Sequence, residues 1–220
     1  MSMLKSNNAQ PKDVEPRWPV VVALVAVGGI YMALPEYLIM GPRWLLLGVV
    51  SVLSVPALIS HHTDKNQLNL VLGYVISGVI TSALLISLFF LINALPRHEE
   101  SASALLRSAV ILWLTNIVVF GLWYWRLDAG GPHLRWLREV HTEGSFLFPQ
   151  MTQYLGNDSR TRKWTPDFID YLFIAFNTAT AFSPTDTPVL SKWAKILSML
   201  QATISLAIVA VLVSRGIGLL

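Results

Sequence analysis

The chain has 220 residues, 54% of them hydrophobic and 13% charged, with a mean hydropathy of +0.55 and a formal net charge of +3. Ordinary soluble domains carry about 25% charged residues, so an integral membrane protein is expected, built as one membrane domain without an appended soluble enzyme. The absence of cysteine excludes disulfides, thiolate metal sites and cysteine nucleophiles.

Residues 1–17, MSMLKSNNAQPKDVEPR, are polar and mixed in charge. A signal peptide would place its cleavage site after an apolar stretch, so a floppy tail is expected instead. Apolar runs able to span or nearly span the roughly 30 Å hydrocarbon layer occupy about 18–34, 44–60, 68–95 and 103–127, and a fifth occupies about 190–214. The first four define a four-helix transmembrane region over 18–127. Pro35-Glu36 and Gly41-Pro42-Arg43 mark a turn and predict an antiparallel hairpin of the first two helices. Trp18, Trp44, Trp123, Trp125, Trp164 and Trp193 fall near span ends, where an amphipathic ring lodges its N–H among headgroups. Thr115 and Asn116, inside the fourth run, are expected to join helices.

Two polar clusters carry no chemistry. His61, His62 and Asp64 share one loop and His98, Glu99 and Glu100 another, but neither has the two-histidine helical spacing of a zinc hydrolase. No metal, cofactor or catalytic residue is expected, and no enzyme. The long runs hold no acidic residue away from their ends, which argues against a proton-coupled carrier.

Residues 128–164 form the long connection, read as an extramembrane loop. It opens on the turn signal Asp128-Ala129-Gly130-Gly131-Pro132. HLRWLREV, from His133 to Val140, predicts a short basic interfacial helix, and Arg135-Trp136 suits anionic headgroups better than nucleic acid. FLFPQM, from Phe146 to Met151, predicts a packed apolar loop.

The module 165–220 is the most informative. Thr165 is a capping residue, Pro166 suits the first helical position and Asp167 complements the positive end of the dipole, so a helix is predicted from Pro166 to about Thr180. At 1.5 Å per residue it rises about 22 Å, too little to cross, and then meets Phe182-Ser183-Pro184. Pro184 donates no backbone hydrogen bond and pushes Ser183 toward extended geometry. A helix that ends inside the membrane and returns as extended backbone is tolerated only where it lines a protein- or water-filled cavity. Its negative dipole end favours cations there. Asn177, Thr178, Thr180, Ser183 and Thr185 would supply neutral oxygens, and Asp186 a carboxylate at the mouth. Ser198, Gln201 and Ser205, spaced by three and four, share one face of the last helix. Two readings stand for that face: it lines the water path, or it makes interhelical hydrogen bonds. The predicted fold is an all-α membrane protein with five transmembrane helices plus a re-entrant pore helix and filter-like loop.

The segment from Thr178 to Asp186, TATAFSPTD, resembles the pore signature of the potassium-channel superfamily, T-x-T-T-V-G-Y-G-D, with Thr-x-Thr and the final Asp in register. The likeness continues through Pro188, Trp193 and Lys195 into the last helix after a one-residue deletion. Over the whole chain, LPEYLIMGPRWLL, WYWRLDAGGP, FLFPQM and FNTATAFSPTDT resemble a family of bacterial membrane proteins of similar length, a likeness that implies the bacterial inner membrane and no particular activity. The channel resemblance implies a homotetramer in which four copies of Thr178 to Asp186 surround an axis and pass small, monovalent cations. Thr178 and Thr180 would end the pore helix. Ala181, Phe182, Ser183, Pro184 and Thr185 would form the constriction, with Phe182 as packing wedge or hydrophobic gate, and Asp186 would concentrate cations. Ser183 and Thr185 stand where the signature has glycines, and Pro184 where it has tyrosine. Backbone angles open to glycine are closed to residues with a β-carbon, so hydroxyls and the Asp186 ring would hold partly hydrated cations with weak selectivity. The alternative is a non-conducting sensor or interaction scaffold that keeps the fold.

Alternation puts the tail, the 61–67 loop and the 126–195 region on one side of the membrane. That side carries twelve of the sixteen Lys and Arg residues, and the other carries Arg43, Arg97, Arg107 and Arg215. The positive-inside rule then places the tail and the loop mouth in the cytoplasm. Potassium channels open their filter outward, so an inverted loop, as in glutamate-receptor channels, is expected.

Overall fold

The computed structural model describes residues 18–62, 66–97, 101–137, 144–153, 164–184 and 186–216. The expected tail over 1–17, Asp64, the 98–100 cluster, the last residues of HLRWLREV and Thr185 lie outside these residues. Among the described residues the chain is helical, with no strand and one isolated bridge between Phe146 and Val189.

Helices α1 (Trp18–Met32) and α2 (Leu45–His62) pack together across a turn. Gly41 takes φ +85 in that turn, a conformation that disfavours a side chain, and Arg43 meets Glu36 at 3.3 Å. Helix α3 (Asn66–Ala94) has 29 residues and α4 (Ala102–Leu127) has 26. Ser101 caps α4 by accepting the Ala104 N–H at 3.2 Å, as the short polar side chains preferred at helix starts do. Two short helices follow, α5 (Pro132–Leu137) and α6 (Pro149–Gln153), then α7 (Phe168–Ala181) and α8 (Lys192–Gly216). Segments of α3, α4 and α8 are long and apolar enough to cross a membrane. Helix α7, with 14 residues, falls short of the roughly 17–25 that a span needs, whereas α1, with 15 and the apolar Ala33 and Leu34 after it, reaches the lower limit.

Helix α4 is the hub, packed on α1, α3, α7 and α8. Two glycines let its neighbours come close. A β-carbon at Gly121 would stand 3.3 Å from the Leu172 Cα of α7, and one on Gly73 of α3 would fall 1.1 Å from the Arg126 guanidinium of α4. Four tryptophans read as headgroup anchors are used internally, Trp164 against Phe148 and Trp193 against Phe146 among them. Trp125 is buried edge-on against Phe168, and Trp123 stacks on Tyr74 while donating to Thr81 Oγ1 at 2.9 Å. Trp44 is exposed, as an anchor requires.

A cap of aromatic side chains closes the end of the bundle where α4 stops. FLFPQM packs as expected: Phe146 and Phe148 are buried, and Phe146 touches Tyr124 of α4, Tyr171 of α7 and Trp193 of α8. Arg135 departs from expectation. It is buried beneath the cap, donating to the carbonyl oxygens of Trp125 at 2.7 Å and Asp128 at 2.9 Å, with its guanidinium 4.9 Å from the Tyr171 ring centroid. A guanidinium held by carbonyls and an aromatic face is not available to headgroups.

Candidate functional site

Helix α7 begins two residues later than Thr165-Pro166 suggests. The Asp167 carboxylate accepts the N–H groups of Ile169 at 2.8 Å and Asp170 at 3.3 Å, and the Asp170 carboxylate accepts the Asp167 N–H at 2.8 Å. This reciprocal capping box satisfies more orphan donors than Thr165 alone, and Pro166 is buried ahead of it. Burial pushes the Asp170 carboxyl above its ordinary value; the Asp167 backbone N–H opposes the rise and the Asp167 charge adds to it.

The start of α7 is fixed by a buried polar cluster built on the turn that opens at Asp128. Asp128 is fully buried; its carboxylate accepts the Tyr171 hydroxyl at 2.7 Å and the Ser145 backbone N–H. Gly131, at φ +94, donates to the Asp128 carbonyl at 2.8 Å. The turn DAGGP thus ties α4, α7 and the FLFPQM segment. No periodicity betrays this role, because a turn aspartate with a buried partner and one in water look alike in sequence.

From there α7 runs antiparallel to α4. Phe168 lies on Trp125, Leu172 on Gly121 and Phe176 on Trp113, whose indole N–H points to the Ala179 carbonyl at 3.4 Å. Alongside α8 it runs parallel: Gln201 Nε2 donates to the Ala175 carbonyl at 2.7 Å and the Ser205 hydroxyl to the Ala179 carbonyl at 2.5 Å. Trp113 and Ser205 both sit near the middle of their helices. The last turn of α7 therefore lies about halfway along both.

Phe182, at φ 55 and ψ 24, stops the helix in a left-handed conformation. The chain then turns at Pro184, whose carbonyl accepts the Thr187 N–H at 3.2 Å, and reaches the aromatic cap. There Val189 bridges Phe146, Leu147 donates to Pro188 at 2.9 Å and Leu190 to Ser145 at 2.8 Å. From Tyr171 to Ala181 the helix descends about 15 Å at 1.5 Å per residue. The chain from Phe182 to Val189 reaches at most about 23 Å at 3.3 Å per residue, enough to recover that height with a turn included. Helix α7 and its return segment thus begin and finish on the same side of the bundle.

The sequence-selected residues divide into two groups. Thr180, Ala181, Phe182, Ser183 and Asp186 are exposed, Asn177 and Pro184 are half-buried, and Thr185 lies outside the described residues. Thr180 Oγ1 donates to the Phe176 carbonyl at 2.9 Å, within its own helix. Thr178 is buried and donates to the Ile174 carbonyl at 2.8 Å. Ser198, Gln201 and Ser205 are buried inside the subunit. Of the two readings for that face, interhelical bonding is the one observed: the Tyr124 hydroxyl lies 2.7 Å from Gln201 Oε1 and 3.3 Å from Ser198 Oγ, and Asn116 Nδ2 reaches the Gln201 carbonyl at 3.5 Å. Within the subunit all three thus face α4 and α7. Trp113 and Tyr124 complete the network and carry no sequence signal beyond their aromaticity.

Among the described residues the fold is helical and three helices are long and apolar enough to cross a membrane, the character of a helical membrane protein. No family model, curated protein or solved structure matches the chain.

Proposed function

We propose that the chain is a pore-loop membrane protein with five spanning helices, α1 to α4 and α8, in which α7 and the segment after it form a re-entrant loop. Four copies surround an axis and pass small cations with weak selectivity. One observation carries this reading: α7 stops and turns back halfway along two membrane-length helices, with residues 180–183 exposed at the break. Irregular backbone at that depth is incompatible with lipid and must face water or protein. The exposed side of α7 continues from the break through Phe176, Phe173 and Ile169, a stripe spaced for one helix face that would meet a neighbouring copy. The negative end of the α7 dipole and Asp186 supply cation preference.

Flux of small cations into liposomes holding the purified protein tests the proposal, with Asp186→Asn as the informative variant. Flux that falls in the variant is expected. Absence of flux from wild type removes the pore.

A specific observation supports a second reading, a non-conducting scaffold of the same fold. The polar face of α8 is occupied within the subunit, and its exposed side, with Ile196, Met199, Leu200, Leu206 and Val213, is largely apolar. Tetramers without flux would favour it.

A further inference from the structure

We infer that Gln201 and Ser205 of α8, assisted by Trp113 of α4, are positioning residues that fix the depth and register of the α7 break. The inference rests on the pore-loop reading for its functional meaning, since the break would be the constriction.

The last four carbonyls of a helix have no partner within it. Helix α7 ends at Ala181, so the Ala179 carbonyl is one of these orphans. It is claimed from outside, by the Ser205 hydroxyl at 2.5 Å and the Trp113 indole at 3.4 Å. One turn earlier, Gln201 Nε2 adds a 2.7 Å bond to the Ala175 carbonyl. The two donors stand four residues apart on α8 and the two acceptors four apart on α7, so the rungs match turn for turn. A slip of one residue along α7 would move each acceptor about 1.5 Å along the axis and about 100° around it, and both bonds would be lost together.

The donor at Gln201 is itself oriented. The Tyr124 hydroxyl, 2.7 Å from Oε1, has its proton accepted by that oxygen, which leaves the amide NH2 to face α7. Asn116 reaches the Gln201 main-chain carbonyl from α4. The amide therefore holds one orientation, and the end of α7 follows α8 when α8 moves.

The cysteine-free chain permits a direct test. A spin label at Thr180→Cys reports the last turn of α7, and one at Val75→Cys on the exposed side of α3 serves as control. In Gln201→Leu/Ser205→Ala the mobile component at position 180 is expected to rise roughly twofold, as for a segment released from its anchors, while the control spectrum stays unchanged. Ser205→Thr, which keeps the hydroxyl, should restore the wild-type spectrum when paired with native Gln201. An unchanged spectrum at position 180 in the double variant overturns the inference. Should the double variant fail to purify as folded protein, Ser205→Ala combined with Trp113→Phe removes both Ala179 donors and is read by the same criterion. Flux distinguishes the two levels. Wild type without flux sinks the pore and leaves the label comparison decisive for positioning. Flux with an immobile label in the double variant sinks the positioning and leaves the pore standing.

Discussion

Phe182 is a residue with a β-carbon in a left-handed conformation. That conformation costs about 1–2 kcal/mol in an L-residue, against which glycine loses about 0.4–1 kcal/mol to a freer unfolded chain. Phe182→Gly should therefore gain about 0.5–1 kcal/mol, read as a raised midpoint of thermal unfolding in detergent; a drop would mean that the ring packs more than its exposure suggests. Gly73 is the converse case. An added β-carbon at 1.1 Å from Arg126 must displace the buried guanidinium, and Gly73→Ala should cost about 1–3 kcal/mol, the usual penalty of overpacking. Unchanged stability would show that Arg126 swings aside freely. Side-chain direction was the least legible feature of the sequence. Trp125 and Arg135 sit near a span end, where headgroups and an aromatic cap attract the same residue types, and only the arrival of Phe168 and Tyr171 from far along the chain decides between them.

At the scale of the element, α7 depends on its first turn. Removing the Asp167 side chain leaves two N–H groups without their acceptor, so Asp167→Ala should cost about 1 kcal/mol, visible as faster hydrogen exchange at Ile169 and Asp170. Unaltered exchange would place the start of the helix elsewhere. Asp170 adds a pH dependence. Its folded-state pKa lies above the ordinary 3.8 because burial disfavours the charge. The stability it contributes is complete below the unfolded value and is lost as pH rises through the folded one. Wild type should thus lose stability relative to Asp170→Asn as pH rises above the ordinary carboxylate range, and the reverse trend in paired melts would refute this. The existence of α7 was legible from its apolar length and from Phe182-Ser183-Pro184. Its start was displaced because Thr165 and Asp167 are both acceptable caps, and the choice belongs to Asp170, three residues beyond the second. The polar face of α8 was legible as a face. What it faces was not, because its acceptors are backbone carbonyls, which every residue carries.

The whole molecule is a bundle about α4 with one end closed by aromatic side chains. Its long helices were legible because continuous apolar runs have few other uses. The cap was not, since it joins residues from 124 to 193 that only the fold brings together. The count of basic residues changes with it: Arg126 and Arg135 are buried and bear less on orientation than surface charges do. By the positive-inside rule the remaining excess would set the capped end of the bundle toward the cytoplasm. Thr165→Cys, exposed at that end, should resist an impermeant thiol reagent in intact cells and react after lysis; ready labelling before lysis would put the capped end outside. The rungs between α7 and α8 carry a further consequence. The return segment is pinned near Trp193 and the first rung falls at Gln201, so the residues between them work as a fixed-length ruler. One residue inserted there would turn everything beyond it by about 100°, swinging both donors off their targets although every side chain is retained. Related chains that share this architecture are thus expected to vary in length elsewhere and keep this interval constant.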